Sequence, residues 1–569
     1  MEASAVTRIE QWNTNRRARL IAALLLNAVF LAATVLIVRV GFESNDDLTL
    51  AAFVDGQMAA RTAYIPYVNF VLGLLMKGVY TLLGQGVAWH TLGQYLLLFV
   101  SFTALNMVLN ERLGIVYGCA VSTVLLLFFG ADVYTVISYT KTAAVCTVGG
   151  MVLLVHTMEQ NERRWGAVVL GAALCVFGFM LRRMEFLPCF GLMAALCLRR
   201  LCGLLFLEKG TGREKGRALY RFALPFVCVA ALCAMLYLVD WAAWSRAPWS
   251  AYREYDAIRV DYSDYGRPTY GEMPEEYAYL GLSEADVELL YEGNYFDTEQ
   301  FSGAVMQSIT NARDLRFPPP SLGECLGLFL DRCLPGFFIN LPVYGLLLLL
   351  ALWLFGGAHA PRDWLALLAV AGLFAAAYLY LIWRGRYLID RVDAGLFLAG
   401  AVCAAYMLSR EKLSREPVMT VLTLLLAVGI SWYLVRDDYR ANDPWDSSDA
   451  RAAVERLLED GEHVYLAKLD TVSDRIYSPF EPAGKGYWDR IVLLGGFDCN
   501  HPAIMNNLRQ YGVENPYRDC VGNERVYLIE DDIELTLAFI HEHYDPDAAA
   551  ELVQPLSDET GLMIYRIRK

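Results

Sequence analysis

Charge is scarce in this sequence. Of its 569 residues only 19% are Asp, Glu, Lys or Arg, against roughly 25% in soluble domains, while 56% are hydrophobic. That balance excludes an ordinary water-soluble protein. Positive charge is the scarcer sign: 48 Lys and Arg stand against 62 Asp and Glu, a formal net charge of −14. Such a surface repels phosphate backbones, so no nucleic-acid partner is expected. Histidine is rare, at seven residues, and forms no H-E-x-x-H pattern. His541-Glu542-His543 would splay around a helix instead of sharing a face, so a histidine-based metal site is not expected. Nine of the 13 cysteines lie in or beside apolar blocks, where cysteine acts as a small hydrophobe. Cys325, Cys333, Cys499 and Cys520 lie in polar segments. Cys499 and Cys520 either bridge, if their segment faces an oxidising compartment, or stay as thiols.

What is abundant is long apolar runs. Blocks of about 17 to 23 residues recur, the length that crosses a hydrocarbon core of roughly 30 Å at 1.5 Å per residue. Arg8, Arg16, Arg17 and Arg19 precede the run Leu20 to Val40, which is too long for a cleaved signal peptide and reads as an anchor with a cytoplasmic N-terminus. Further spans are expected near 89–109, 114–130, 142–158, 165–181, 186–204, 222–244, 336–356, 364–383, 392–408 and 418–435. Charge in the short loops decides the status of 67–84. The basic loop with Arg199, Arg200, Lys209, Arg213, Lys215, Arg217 and Arg221 shares the cytoplasmic side with the N-terminus only if 67–84 does not cross, so that block reads as an interfacial or re-entrant helix. The loop with Arg410, Lys412 and Arg415 then falls on the same side.

The expectation is a membrane all-α protein: a bundle of about eleven transmembrane helices plus an interfacial helix, with an external C-terminal α/β domain. It divides into an N-terminal membrane region 1–244 with a first outer loop 41–66, an external loop domain 245–335, membrane helices 336–440 and an external domain 441–569. The two polar regions are strongly acidic, with 16 Asp and Glu against 7 Lys and Arg in 245–335, and 25 against 12 in 441–569. The tail alternates helix near 448–459, strand 463–469, strand 490–494, helix 502–511, strand 525–529, helix 533–543 and strand 562–567, a βα rhythm. It has neither G-x-G-x-x-G nor G-K-[ST], so no nucleotide fingerprint. Gly495-Gly496 reads as an ordinary turn.

The chemistry-bearing segment is Glu43-Ser44-Asn45-Asp46-Asp47, directly after the first span. Carboxylates beside lipid are costly unless they have partners or work. One of Asp46 and Asp47 suits a general base toward a hydroxyl, and together they suit a divalent cation. Equally, Asn45-Asp46-Asp47 reads as a polar N-cap in a solvated loop. Arg182-Arg183-Met184-Glu185 and Arg384-Gly385-Arg386-Tyr387-Leu388-Ile389-Asp390-Arg391 fall on the outer side, against the positive-inside trend. Their guanidinium groups suit a phosphate, or else anchor to lipid headgroups. Lys141, beside Tyr139 at the same end of its helix, is a further cation of this kind.

The cytoplasmic N-terminus, the single helix, the outer loop opening on acidic residues, and the Ile65-Pro66-Tyr67-Val68-Asn69-Phe70 element before an apolar helix together resemble the GT-C class of integral membrane glycosyltransferases. That class includes protein mannosyltransferases and bacterial lipid A sugar transferases. The resemblance implies a plasma-membrane enzyme working at the outer face, with a polyprenyl-phosphate-linked sugar donor and a glycan, lipid or protein acceptor. It implies a catalytic acidic residue at Asp46 or Asp47. Arg182, Arg183, Arg384, Arg386 and Lys141 would hold the donor phosphate, with Glu43, Glu185 and Tyr387 in support. The Ile65-Pro66-Tyr67 element lacks the His-Pro-Pro form usual in that class. Competing readings are a polysaccharide polymerase or lipid-linked glycan transporter, and a non-catalytic membrane protein with an external binding domain.

Overall fold

The computed structural model describes residues 12–38, 40–43, 46–57, 60–160, 164–207, 210–387, 389–438, 448–468, 472, 477–481, 487–556 and 561–569. Arg8, Ser44, Asn45, Lys209 and Leu388, named above, lie outside these residues. The protein is a polytopic helical bundle carrying a small α/β domain near its C-terminus. Among the described residues seven helices are long and apolar enough to cross a membrane: Arg16–Ile37, Trp89–Leu113, Ile115–Thr135, Tyr139–Glu159, Arg183–Phe206, Gly212–Trp244 and Pro361–Trp383. The pair Leu322–Phe337 and Leu341–Gly356, bent by 94°, makes an eighth if it is one span. Helices are also present at the other expected positions, Trp165–Leu181, Asp390–Tyr406 and Pro417–Asp438. Trp165–Leu181 and Asp390–Tyr406 have 17 residues each, about one turn fewer than the shortest of the seven.

The helix at 67–84 does not cross. It runs Phe70–Leu83, 14 residues, or about 21 Å at 1.5 Å per residue. Both its ends lie at one end of the bundle. Before it, Asn69 N–H donates to the Met180 carbonyl at 2.8 Å, and Phe70 N–H donates to the Asp240 carboxylate at 2.8 Å. After it, the Trp89 indole donates to the Gly84 carbonyl at 3.0 Å, where the next crossing helix begins. A Cβ at Gly73 would sit 2.1 Å from the Ala63 carbonyl oxygen, so only glycine lets this helix lie on the 61–66 segment.

The bundle packs closely through small residues. A Cβ on Gly150 would stand 2.6 Å from the Gly171 carbonyl oxygen, which brings Tyr139–Glu159 against Trp165–Leu181 as small-residue contacts do in membranes. Away from the 41–70 end, charged helix termini are cross-tied. Glu111 accepts from His156 Nε2 at 2.8 Å and from Arg164 at 2.7 Å, and Arg199 bridges Asp363 at 2.6 Å and Glu159 at 3.2 Å. Pairing is what makes such burial tolerable.

The tail contains helix Ser448–Glu459 and a five-stranded sheet of order β4-β3-β5-β7-β6. Its strands are β3 Val464–Ala467, β4 Ile491–Leu493, β5 Val526–Glu530, β6 Ala549–Pro555 and β7 Met563–Arg568. β3 pairs in parallel with β4 and β5, while β5–β7 and β6–β7 are antiparallel. β6 was not expected from the sequence: its side chains are largely exposed, so it lacks the apolar alternation that marks a half-buried strand. Cys499 and Cys520 are buried free thiols. Their sulfurs donate to the Leu494 and Tyr517 carbonyls. A two-residue pair, β1 Gly41–Phe42 with β2 Val136–Ile137, ties the segment after the first long helix to the start of the Tyr139–Glu159 helix.

The tail and the 245–335 region are packed on each other. Tyr295 N–H donates to the Leu494 carbonyl at 3.1 Å, Asn515 Nδ2 donates to Asp297 at 3.0 Å, and the Phe301 and Phe539 rings lie 5.5 Å apart. His541 and His543 reach different partners, the Ala548 carbonyl and Asp286. Asp286, Glu542 and His543 come close enough to share an ion, but the 2.7 Å contact between His543 Nε2 and Asp286 Oδ1 already occupies two of the three.

Candidate functional site

Asp46 and Asp47 open helix Asp46–Asp55, where the exposed N–H groups and dipole favour carboxylates. Adjacent residues on a helix point about 100° apart, and here the two carboxylates have separate fates. Asp47 is fully buried. Its Oδ1 accepts from Gln94 Nε2 at 2.8 Å and from Tyr139 N–H at 3.0 Å, with His90 Nε2 at 3.7 Å. Asp46 keeps 23% of its side chain exposed and meets Arg391 Nη1 at 3.3 Å through Oδ2. The pair therefore does not fit a shared divalent cation, since the oxygens of Asp47 are already engaged by N–H donors.

Asp47 organises the site. By holding the Tyr139 backbone it places the Tyr139 ring, whose hydroxyl accepts from Arg182 Nη1. Arg182 lies over two rings, 4.7 Å from the Tyr67 centroid and 5.2 Å from that of Tyr139, a geometry that favours a cation on an aromatic face. Tyr67 has a left-handed backbone, φ +64°, rare for a bulky residue and the kind of strain found at functional sites. Its hydroxyl accepts from Arg259 Nη2 at 2.8 Å, and Arg259 is fixed by Asp256 at 2.6 Å. Burial raises Asp256 above the usual carboxylate range, with Arg259 opposing it.

The structure thus brings Asp46 and Arg182 together around Tyr139, with Arg391 as the second cation. Lys141 is buried and pairs with Asp132 at 2.9 Å and Glu43 at 3.6 Å. Burial also raises Glu43, with Lys141 opposing it. Arg183 lies over the Tyr237 ring at 4.9 Å. Glu185 is buried, accepts from Cys189 at 3.3 Å and faces Gly395, where any Cβ would collide with it. Arg384 and Arg386 pair with Asp261 at 3.1 Å and Asp264 at 3.2 Å, and both flank the Tyr265 ring. Tyr387 lies under Arg332. Arg384 and Arg386 belong to the clamp between membrane helices and the 249–264 helix.

Sequence reasoning did not single out Arg391, Arg259 or Asp498. Arg391 stood in the same basic run as Arg384. Its signal was position: it lies in the first turn of helix Asp390–Tyr406, where a cation opposes the helix dipole and needs a local anion to hold it. Asp498 follows β4 in a short turn, Gly496–Asp498. Loops at the carboxyl ends of parallel strands are where α/β folds gather ligand-binding groups, so Gly495-Gly496-Phe497-Asp498 carried that signal.

The same turn wedges against the bundle. The Phe497 ring meets Tyr67 at 5.8 Å, and His501 sits 4.2 Å from the Phe53 ring. Burial holds His501 neutral, lowering it to about 3. The unfolded chain therefore binds a proton below pH 6.5 that the folded chain refuses, and the stability from this contact is present above 6.5 and lost as pH falls toward 3. Thermal unfolding between pH 7 and 5 should show wild type losing melting temperature faster than His501→Gln.

Asp47→Ala would leave the Gln94 and Tyr139 N–H groups buried and unpaired, a cost on the order of 3 kcal/mol. Asp46→Ala breaks a partly exposed ion pair with Arg391, worth about 1 kcal/mol or less. Melting of the two purified variants in detergent checks this difference.

No protein-family model matches the sequence and no curated protein matches it. Among solved structures, the chain is similar to ArnT from Cupriavidus metallidurans bound to undecaprenyl phosphate, at 12% identity and a TM-score of 0.40, covering 96% of this chain and 97% of that one. It is similar to the Archaeoglobus fulgidus oligosaccharyltransferase in complex with zinc and sulfate, at 10% identity and 0.43, covering 96% and 73%. A third is the arabinofuranosyltransferase AftD from Mycobacteria, at 12% and 0.39, covering 98% of this chain and 40% of that one. All three are GT-C glycosyltransferases, the class that the sequence resembles.

Proposed function

We propose that the protein is an inverting glycosyltransferase that moves a sugar from a polyprenyl-phosphate donor to an acceptor hydroxyl at the outer face of the plasma membrane. The observation that carries this reading is that the Tyr139 hydroxyl meets Arg182 while its backbone is held by Asp47, whose neighbour Asp46 stays partly exposed and pairs with Arg391. Asp46 takes the proton of the acceptor hydroxyl. The oxygen attacks the anomeric carbon from the face opposite the phosphate, the bond from that carbon to the phosphate oxygen breaks, and polyprenyl phosphate leaves with the electron pair. Arg182 and Arg391 face the charge that develops on the phosphate, where preorganised donors act most strongly. The Arg182 guanidinium has five N–H donors, so its contact with the Tyr139 hydroxyl leaves others for a phosphate.

The membrane setting fits this chemistry. A polyprenyl chain dissolves in the bilayer beside the bundle while its phosphate reaches the end where Arg182 sits at the junction of two helices. Asp47, Tyr139, Tyr67 and Arg259 act as positioning residues. The test is release of undecaprenyl phosphate from undecaprenyl-phosphate-linked sugars in vesicles made from membranes that natively hold the protein. Release should depend on Asp46. Full release by Asp46→Asn, with normal folding, would overturn the assignment.

A further inference from the structure

The C-terminal domain does more than sit beside the bundle: the turn that carries Asp498 packs on Tyr67 and on the Tyr64 backbone, the segment next to Arg182. Asp498 is 5% exposed, and among the described residues its Oδ1 is buried without a hydrogen-bond partner. A buried carboxyl oxygen left unpaired is costly, and here the turn around it is firmly held. Tyr252 Oη donates to the Phe497 carbonyl at 2.8 Å, Phe497 packs edge-on to Tyr67, and His501 Nε2 contacts the Tyr64 carbonyl at 3.2 Å. Gly496 and Asn500 both take left-handed backbone, φ +67° and +60°. The orphan oxygen is thus fixed in place beside the segment that holds Arg182.

From these contacts we infer that Asp498 binds the acceptor, holding a neutral hydroxylated group such as a sugar hydroxyl against Asp46. The inference rests on the transferase reading above and deepens it by assigning the acceptor side to the C-terminal domain. The charged and titratable groups facing Asp498 are Asp46 from the outer-loop helix, Arg259 and Tyr252 from the 249–264 helix, and Cys499 on its own turn. Burial and then the Asp46 charge push Asp498 up to about 8, with Arg259 opposing them. At neutral pH its carboxyl therefore offers both an O–H donor and a carbonyl acceptor, which complements a hydroxyl. An anionic acceptor would meet the Asp46 carboxylate at the same place.

The experiment uses the full chain in native-membrane vesicles, with undecaprenyl phosphate release as the turnover readout and undecaprenyl phosphate binding as the donor-side probe. Asp498→Ala should lower release about 10- to 100-fold, the loss expected for one substrate hydrogen bond at a buried carboxyl, and leave undecaprenyl phosphate affinity within about twofold. Asp498→Asn preserves shape and donor, so it keeps most of the release at pH 7. It should also lose the decline that wild type shows as pH rises through 8. Release by Asp498→Ala at half the wild-type rate or more, or a parallel loss of undecaprenyl phosphate affinity, overturns the inference. If Asp46→Asn abolishes release while Asp498→Ala does not, only this inference fails. If wild type releases nothing, or Asp46→Asn releases normally, the transferase reading fails and takes the inference with it.

Discussion

Asp46→Asn should lower transfer about 10²- to 10⁴-fold, the contribution of a positioned general base, with melting temperature close to wild type. The expectation follows from the asymmetry between two neighbouring aspartates. Asp46 keeps 23% of its side chain exposed and pairs with Arg391 at 3.3 Å, so the amide costs less in folding here than at a fully buried carboxylate. The Asp47 carboxylate is buried against Gln94 and Tyr139, so the corresponding change there lowers stability and misplaces Tyr139. Loss of activity with stability intact belongs to Asp46, and loss of both together belongs to Asp47. Rates measured at equal amounts of folded protein separate the two.

Arg182→Ala should have the second-largest effect. Removing one preorganised donor from a developing oxyanion costs about 10²- to 10³-fold in rate, and undecaprenyl phosphate affinity should fall with it. Arg182→Lys should restore little, because a lysine presents a point charge where the Tyr67 and Tyr139 rings accommodate a flat guanidinium. Arg384→Ala is the matched control. Arg384 is engaged with Asp261 and the Tyr265 ring, in the clamp between the bundle and the 249–264 helix, so its loss should change affinity by less than about fivefold. Titration of each variant with undecaprenyl phosphate, followed by thermal shift, gives the comparison.

The membrane bundle was legible in the sequence because bilayer thickness writes itself into the length of apolar runs, and the shortness of the 67–84 block was legible in the same way. Most tail strands were legible through period-two or continuous apolar patterns, and β6 was not, because its exposed side chains carry none. Asp46 and Arg182 were legible as charges in costly places. Their division of labour was not. Nothing in two consecutive aspartates tells which one turns inward to Gln94, 47 residues away. Likewise Arg384, Arg386 and Arg391 are alike as sequence, and only the fold separates the pair that meets Asp261 and Asp264 from the one that meets Asp46. Asp498 lies 452 residues from Asp46, a separation across which no local pattern reports.

The central claim is that the arginines around Tyr139 receive a lipid-linked phosphate beside Asp46. The most direct measurement is an experimental structure of the full chain with undecaprenyl phosphate in lipid nanodiscs. The account predicts phosphate oxygens within hydrogen-bonding distance of the Arg182 and Arg391 guanidiniums, with the Asp46 carboxylate open toward the space above the phosphate. Phosphate bound instead at Arg384 and Arg386, or density for the lipid elsewhere with Arg182 still closed onto Tyr139, would contradict it.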